Sequence, residues 1–169
     1  METGRSNEGI LSPEMADKRG EIIELLKQAY FAELETVINY VTNSVNPDGV
    51  RAQEIKEALG EDVQEELAHA QQFAQRIKEL YGVVPGSMEF EAQQHSLQPP
   101  EHQTDVVHVI KGVIDAETKA IELYTRIIEE TDGVDLVTQD MMIEVLHDEQ
   151  GHRRLFEGFL REYEAEGLA

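Results

Sequence analysis

Two copies of one pattern, a Glu-x-x-His pair inside an apolar helical stripe, constrain this chain more than any other feature. The copies are Glu66–His69 and Glu149–His152. Residues three apart lie on one face of a helix, about one turn from each other. In both copies the stripe continues with apolar residues, and in the second it is predicted to start at Val137, Met141 and Val145. A carboxylate and an imidazole therefore stand where a core would have Leu. Burying an unpaired carboxylate is costly, and the pattern therefore predicts a cation there, which we interpret as a metal ion.

The face of the helix, and not the spacing alone, separates these pairs from a chance occurrence. With 26 Glu among 169 residues, about one of the six His is expected to have a Glu three residues before it by chance. Glu144–His147 is interpreted as such a pair. Its stripe (Asp140, Gly151, Arg154) is polar throughout, which is typical of a solvated face.

Apolar periodicity predicts four long helices. The first runs from the helix start Ser12-Pro13-Glu14 to about residue 44. The second runs from the turn at 46–49 to about 81, with Gly82 predicted as the left-handed C′ residue that ends it. The third spans about 105–131, and the fourth runs from the N-cap Asp135 to about 164.

The connections between the helices predict an all-α bundle. Residues 83–104 contain three Pro and no sustained period, so this stretch is the long connection. Extended, it could span about 70 Å, enough to travel the length of a helix of about 45 Å. Helices joined short, long, short indicate two antiparallel hairpins and a crossover between helices 2 and 3. Residues 1–11 are predicted to be a mobile N-terminal arm, and 12–169 the bundle.

The second half of the chain repeats the chemistry of the first. Each half has a helix with Glu-x6-Tyr followed by a helix with Glu-x-x-His: Glu33, Tyr40, Glu66 and His69, then Glu117, Tyr124, Glu149 and His152. Four carboxylates and two neutral imidazoles make an oxygen-and-nitrogen site, and four negative charges would balance two divalent cations. Simple core packing is the alternative interpretation of the tyrosines, since a buried Tyr usually finds a hydrogen-bond partner anyway.

The chain resembles the ferritin-like dinuclear-carboxylate superfamily, in which two helices each supply a Glu and the other two a Glu-x-x-His. Within it, the sequence is most similar to bacterioferritin and the bacterioferritin-like, Dps-like mini-ferritins. The resemblance covers about residues 20–164 and is strongest at ELETVINY (33–40), EELAHA (65–70) and DMMIEVLHDEQGH (140–152). It implies a ferritin-like four-helix bundle in which Glu66 and Glu149 bridge two metals. The terminal ligands would be Glu33 with His69 and Glu117 with His152.

The resemblance also implies an activity. The expected reaction is oxidation of Fe(II) by O2 or H2O2 at an intrasubunit site with two Fe, serving iron storage, detoxification and protection from oxidative stress. Mn and Zn share these ligands and could substitute. Tyr40 matches the family tyrosine that lies within hydrogen-bonding distance of a ligand carboxylate, and Tyr124 is its counterpart in the repeat. Bacterioferritin holds haem with a Met directly after the second-helix Glu; Leu67 occupies that position here, which argues against haem.

Composition excludes several classes of function. The net charge of −21 argues against direct binding to nucleic acid and to anionic membranes. It leaves three explanations open: a cation-attracting surface, adaptation to a high-salt cytoplasm, or solvated helix faces. The absence of Cys removes disulfides, iron–sulfur clusters, zinc–thiolate sites and thiol catalysis. No apolar run reaches the length of a membrane span and no signal peptide is evident, so a cytoplasmic location is expected.

Three functions compete at this point. The first is a ferroxidase shell. The second is a free-standing dinuclear peroxidase, catalase or oxygenase, although the lack of Cys removes the rubredoxin-like electron entry of rubrerythrins. The third is a structural or zinc-stabilised bundle. Bacterioferritin closes its 24-subunit cage with a short fifth helix, for which Glu164–Ala169 are too few, and this favours a mini-ferritin shell of 12 subunits.

The remaining histidines and the paired methionines have simpler interpretations. His95, His102 and His108 are expected to be solvated, with iron entry as the alternative. Met141 and Met142 are expected in the core.

Overall fold

Four long helices dominate the computed structural model, which describes residues 9–169. They are α1 (Ala16–Val45), α2 (Gln53–Glu79), α3 (Val106–Thr131) and α4 (Leu136–Ala165). α1 packs mainly on α2, α3 packs mainly on α4, and α1 also contacts α3. The predicted all-α bundle of two hairpins joined by a crossover is confirmed.

The helix ends follow from local chemistry, with one correction. The Asp135 side chain accepts the N–H of Thr138, as expected of the predicted N-cap of α4. At the end of α2, however, the left-handed residue is Tyr81 (φ 65°) and not Gly82. The N–H of Gly82 instead donates to the carbonyl of Ile77 at 2.9 Å, which closes a Schellman motif. A Cβ on Gly82 would lie 2.9 Å from Ile77, so glycine is needed for close approach.

The stripe predicted for α4 is correct in its centre and one residue out of phase at its start. Val137 is 60% exposed, and the residues that face the core in the first turns are Thr138 and Met142. The predicted stripe extended backward from Val145 in steps of four. A step of four exceeds the 3.6 residues of one turn, so two steps rotate the position off the buried face. Met142 is in the core as predicted, and Met141 packs at its edge.

The apolar core has two clusters, one toward each end of the bundle. One contains Leu26, Phe73, Ile77 and Met142 among others. The second is built around Ile55, Leu59, Ile110, Val113 and Phe156. The predicted ligands lie in the layer between these clusters, so apolar side chains flank the ligands on two sides. None of the helices that the structure describes is apolar over a length that could cross a membrane.

The crossover between α2 and α3 is fixed to both hairpins. The buried carboxylate of Glu35, on α1, accepts the N–H groups of Gln93 and Gln94, both at 2.8 Å. On α3, a Cβ added to Gly112 would lie 2.5 Å from the carbonyl oxygen of Ser96, so the two backbones are in direct contact. The crossover is therefore a fixed wall of the bundle, alongside the central layer.

Part of the predicted N-terminal arm packs on the bundle. Residues 1–8 lie outside the described residues, but Gly9–Leu11 form a 3-10 turn and Ile10 is buried in the first apolar cluster. The Arg19 guanidinium donates to the carbonyls of Ile10 and Ser12, both at 2.9 Å. Residues 9–11 are thus anchored, which corrects that part of the expectation, while the domain boundary itself stays a prediction.

Candidate metal centre

All six predicted ligands meet in the layer between the two apolar clusters. Each side chain comes from the middle of a long helix, and each residue is between 0% and 8% exposed: Glu33, Glu66, His69, Glu117, Glu149 and His152. Among the described residues they form two overlapping groups, in which every member offers a ligand atom within 4.8 Å of the others. The groups are Glu33, Glu66, His69 and Glu149, and Glu66, Glu117, Glu149 and His152.

Glu66 and Glu149 belong to both groups, and each directs one oxygen at each histidine. Oε2 of Glu66 lies 3.4 Å from Nδ1 of His69, and Oε1 lies 3.3 Å from Nδ1 of His152. The Glu149 oxygens lie 3.1 Å and 3.5 Å from the same two nitrogens. This is the placement that a carboxylate needs to bridge two cations.

Glu33 and Glu117 each lie at one end of the layer. Oε1 of Glu33 is 3.9 Å from Nδ1 of His69, and Oε1 of Glu117 is 3.9 Å from Nδ1 of His152. Each therefore approaches one histidine only. This is the placement expected of a terminal ligand.

The two tyrosines bind the terminal carboxylates crosswise. Tyr40, on α1, donates its hydroxyl to Oε1 of Glu117 on α3, and Tyr124, on α3, donates to Oε1 of Glu33 on α1. Both tyrosines are fully buried. Burial and the facing carboxylate raise the pKa of each phenol well above its usual range, so both stay protonated and act as donors.

Burial and mutual repulsion change the pKa values of the carboxyl groups in this layer, and two of these groups are favoured in the protonated form. Burial and repulsion from Glu66 and Glu149 raise the pKa of Glu33 well above its usual range. Burial and the charge of Glu149 do the same to Glu117. Burial also opposes ionisation of Glu149, but contacts with His152 and His69 outweigh it and lower the pKa of Glu149 to about 2.

The histidines are the matching cations. Burial would lower the pKa of His69, but the adjacent Glu149 and Glu66 carboxylates raise it to about 10. The pKa of His152 rises to about 12 against the same effect of burial, through Glu149 and Glu66. Protons thus neutralise the layer where divalent cations could do so instead.

The ligand atoms have mainly one another as partners within the described part of the chain. Both oxygens of Glu66, Oε1 of Glu149 and Nδ1 of both histidines are buried and make no well-formed hydrogen bond. Leaving buried polar atoms unsatisfied costs about 1–3 kcal/mol each, so such a cluster requires an explanation. Three carboxylate oxygens and two imidazole nitrogens that converge without hydrogen bonds could instead bind a pair of metal ions. This set of oxygen and nitrogen ligands suits Fe, Mn or Zn.

The outer edges of the histidines contact three acids that the sequence analysis missed. Nε2 of His69 lies 3.3 Å from Oδ2 of Asp148, and Nε2 of His152 lies 3.3 Å from Oε2 of Glu65 and 3.8 Å from Oδ1 of Asp62. A signal for two of them exists in the repeat, because an acid stands directly before each Glu-x-x-His Glu. Asp62 has no counterpart, since Val145 occupies the equivalent position.

A cavity of about 660 Å³ leads to the layer between α1, α3 and the crossover. Its inner wall includes Glu33, Glu66, Glu117, Glu149 and Tyr124. Glu24, Glu89 and Glu91 are exposed members of its lining. Lys27, which pairs with Glu24 at 2.8 Å, and Lys119 also line it. The cavity therefore connects solvent to the predicted ligands past more acidic than basic side chains.

The residues predicted to be bystanders lie away from the layer. Glu144 and His147 are exposed, which confirms that this Glu-x-x-His lies on a solvated face. His95, His102 and His108 are exposed as well, in agreement with the simpler interpretation.

Known sequences match most of this chain. The ferritin-like domain of the Ferritin family matches residues 23–165. A DNA protection during starvation protein from Pyrococcus furiosus is 31% identical over 143 residues, covering 83% of this chain and 77% of the relative. A bacterioferritin from Desulfovibrio desulfuricans is 25% identical over 142 residues, covering 83% and 75%.

Solved structures show the same fold. The Desulfovibrio desulfuricans bacterioferritin, described with a diiron site, superposes with a TM-score of 0.76 at 23% identity, covering 89% of this chain and 84% of that one. A dodecameric thioferritin, the bacterioferritin-related protein of Bacteroides fragilis, gives a TM-score of 0.76 at 22% identity, covering 92% and 97%.

Proposed function

The chain belongs to the ferritin-like domain family, and we propose that it is an iron-oxidising mini-ferritin. Its substrate would be Fe(II), oxidised by O2 or H2O2 at a dinuclear site inside each subunit. The product would be Fe(III), which would be stored, and the O2 or H2O2 would be reduced. Within this site Glu66 and Glu149 would bridge, and Glu33, His69, Glu117 and His152 would be terminal ligands.

One observation carries the proposal: two buried carboxylates each present one oxygen to each of two histidine Nδ1 atoms. A structural zinc site needs four ligands around one ion and is closed. Here two ligand groups share two members, which supports a pair of ions about 3.5–4 Å apart. Tyr40 and Tyr124 would orient the terminal carboxylates Glu117 and Glu33 by their hydrogen bonds.

The acidity of the surroundings supports a cationic substrate. The negative charges of Glu89 and Glu91 at the cavity, with those of the buried carboxylates, would concentrate divalent cations near the site. The net charge of −21 opposes contact with DNA. Removal of Fe(II) and peroxide would protect DNA without such contact. A cytoplasmic location and the absence of haem remain our expectations.

The experiment that tests the function is a stopped-flow Fe(II) titration of the metal-free protein, with O2 or H2O2 as oxidant. The fast phase should saturate at about two Fe per subunit, because the site offers two ligand groups. Metal analysis of the protein as purified would identify the native ion. Oxidation no faster than that of Fe(II) in buffer would reject the ferroxidase and favour the structural bundle.

We also propose that the subunits form a hollow shell of 12. An apolar stripe on the outer face of α1 supports a subunit contact: Ile38 is 57% exposed, Val41 47% and Val45 67%. These residues are spaced three and four apart, so they form one face that a second copy could cover. The Bacteroides fragilis neighbour is itself described as a dodecamer.

Light scattering at native salt should therefore give a particle about twelve times the 19.1 kDa chain mass. Substituting Val41 by Lys would place a charge in the proposed contact and should reduce the particle mass, whereas Lys at the exposed Glu144 should not. A monomer or dimer of the parent protein would contradict the shell and favour a free-standing dinuclear peroxidase, catalase or oxygenase.

A further inference from the structure

We propose that residues 93–96 of the crossover form a strap that sets the spacing of α1 and α3, and so positions both terminal carboxylates of the centre. Its anchors are Glu35 on α1 and Asp115 on α3, neither of which is a predicted ligand. The strap would act on the metals through the helices that carry Glu33 and Glu117. This inference rests on the proposed dinuclear site and adds positioning residues to it.

The strap lies beside a gap between α1 and α3. The cavity of about 660 Å³ is lined by Phe31 and Thr36 of α1, by Ala116 and Leu123 of α3, and by the crossover. Two helices in direct contact are kept about 8–10 Å apart by their interlocking side chains. Side chains that line a cavity lose such contacts, so the spacing of α1 and α3 at this level needs another support.

Glu35 fixes the strap to α1 through two consecutive backbone amides. Its Oε1 accepts the N–H of Gln93 and that of Gln94, both at 2.8 Å. The Gln94 side chain adds two contacts with α1: Nε2 donates to the hydroxyl of Thr36 at 2.7 Å, and Oε1 accepts from Asn39 at 2.9 Å. Glu35 is buried, and hydrogen bonds to a carboxylate are about twice as strong as neutral ones. This end of the strap is therefore firmly attached.

The other end of the strap is attached to α3. The Ser96 hydroxyl donates to Oδ2 of Asp115. The two backbones also touch, because a Cβ on Gly112 would lie 2.5 Å from the carbonyl oxygen of Ser96. Residues 93 and 96 are three Cα steps apart, which span at most about 11 Å. At this level α1 and α3 therefore cannot separate without breaking one of the two anchors.

Each anchor lies two residues from a terminal carboxylate on the same helix. Glu35 follows Glu33, and Asp115 precedes Glu117. Two residues rotate a side chain by about 200° and advance it by about 3 Å along the axis. One turn of each helix can therefore present a carboxylate to the metal layer and bind the strap on its opposite side.

The crosswise tyrosine bonds extend the effect of the spacing to both metal positions. Tyr40 on α1 donates to Glu117 on α3, and Tyr124 on α3 donates to Glu33 on α1. A change in the spacing of α1 and α3 would shift the two carboxylates relative to each other and stretch both bonds. Loss of an anchor should therefore weaken both metal positions together.

Stepwise titration of the metal-free protein with Co(II), followed by its d–d absorption, measures both positions without iron oxidation. Glu35→Ala should weaken both Co(II) equivalents by about 10-fold, the lower end of the loss caused by removing a partner of a ligand. Glu35→Gln removes the same charge but keeps a carbonyl acceptor, and should stay within about threefold of the parent. Ser96→Ala leaves the charge unchanged and should weaken both equivalents by about threefold, because the backbone contact with Gly112 remains.

A control variant separates positioning from loss of stability. Thr138→Val breaks the hydrogen bond that Nε of Arg76 donates to the Thr138 hydroxyl at 2.8 Å. Thr138 lies 11 residues before Glu149, about 16 Å along α4. This variant should lower the melting temperature and leave both Co(II) equivalents within about twofold of the parent.

Hydrogen exchange, followed by mass spectrometry, gives a second measurement. If the strap raises metal affinity, bound metal must stabilise the attached strap by the same factor. Co(II) should therefore slow exchange in peptides that contain Gln93 and Gln94 by about 10-fold. Exchange should be unchanged at Asp48, whose N–H donates to the carbonyl of Gln103 at 2.9 Å in the connection between α1 and α2.

The contrary results have distinct meanings. A parent protein that does not bind two Co(II) equivalents overturns the proposed site itself. Full affinity in Glu35→Ala, loss of one equivalent only, or a Gln variant as weak as Ala overturns the strap alone. So does an equal loss in Thr138→Val, or exchange at Gln93 and Gln94 that does not respond to Co(II).

Discussion

Glu66→Ala should slow Fe(II) oxidation by at least about 100-fold, because in the proposed site this one residue would bind both metal ions. Glu66 is fully buried, and its two oxygens face the two histidine Nδ1 atoms at 3.4 Å and 3.3 Å. Loss of a partner that only supports a ligand already costs about 10–100-fold. Removal of a ligand shared by both ions should cost at least as much. The measurement is the initial rate after mixing metal-free protein with Fe(II) in aerated buffer.

The matched control is Glu144→Ala, which alters the Glu-x-x-His on the solvated face. It removes the same charge from the chain but from an exposed residue that is not a predicted ligand. Because solvent and salt screen that charge, the oxidation rate should stay within about twofold of the parent. Glu66→Gln, which keeps the side-chain volume, should be as slow as Glu66→Ala. Similar rates for Glu66→Ala and Glu144→Ala would contradict the assignment of function by helix face.

Metal loading should raise the melting temperature by about 10–20 °C at pH 7, and by much less at pH 5. An ion at one hundred times its Kd stabilises the fold by about 2.7 kcal/mol, so two ions contribute about 5 kcal/mol. For a domain of this size each kcal/mol corresponds to about 2–4 °C. Zn(II) or Co(II) should be used, since neither is oxidised during the scan.

The dependence on pH follows from the protons that the metal must displace. In the metal-free fold the pKa of His69 is about 10 and that of His152 about 12, so both hold protons at pH 7. The pKa values of Glu33 and Glu117 are also raised. Two divalent ions therefore displace up to four protons, and affinity falls as pH falls.

The metal-free protein responds in the opposite direction. Glu33 and Glu117 hold protons in the fold that the unfolded chain releases above its ordinary pKa of 4.5, so the metal-free fold loses stability as pH rises. The stabilisation by metal must therefore grow between pH 5 and pH 7. In Glu66→Gln the metal should leave the melting temperature unchanged at either pH. A parent protein whose melting is insensitive to metal, or that releases fewer than two protons on loading, would contradict the buried site.

Most of the fold could be predicted because it depends on periodicity, which is a local property. The four helices, the short–long–short connections and the buried face of α2 follow from the positions of apolar residues and of turn residues. The errors arose where local patterns are ambiguous. Val137 lies one residue off the buried stripe because steps of four drift from 3.6, and the end of α2 places Tyr81 rather than Gly82 in the left-handed region.

The burial of the eight predicted site residues could be predicted because the chain contains the pattern twice. A carboxylate in an apolar stripe is costly unless a cation meets it, and this cost is visible in the sequence. Glu65 and Asp148 lack this signal because their side chains are 45% and 35% exposed, and only their repeated place before each Glu-x-x-His marks them. Asp62 has no counterpart in the repeat. Their proximity to histidine Nε2 depends on the packing of α2 beside α4.

The sequence by itself determined which faces are buried, and hence that the six predicted ligand side chains and two tyrosines point inward. Only the tertiary structure decided which partner each of them meets. Tyr40 binds Glu117 and Tyr124 binds Glu33, so the hydrogen bonds run between the two halves and not within them. Likewise Oδ2 of Asp148 lies 3.3 Å from Nε2 of His69, a residue 79 positions away. The physical reason is that helical periodicity specifies the direction of a side chain, whereas a contact across the bundle depends on how two helices are aligned along their axes.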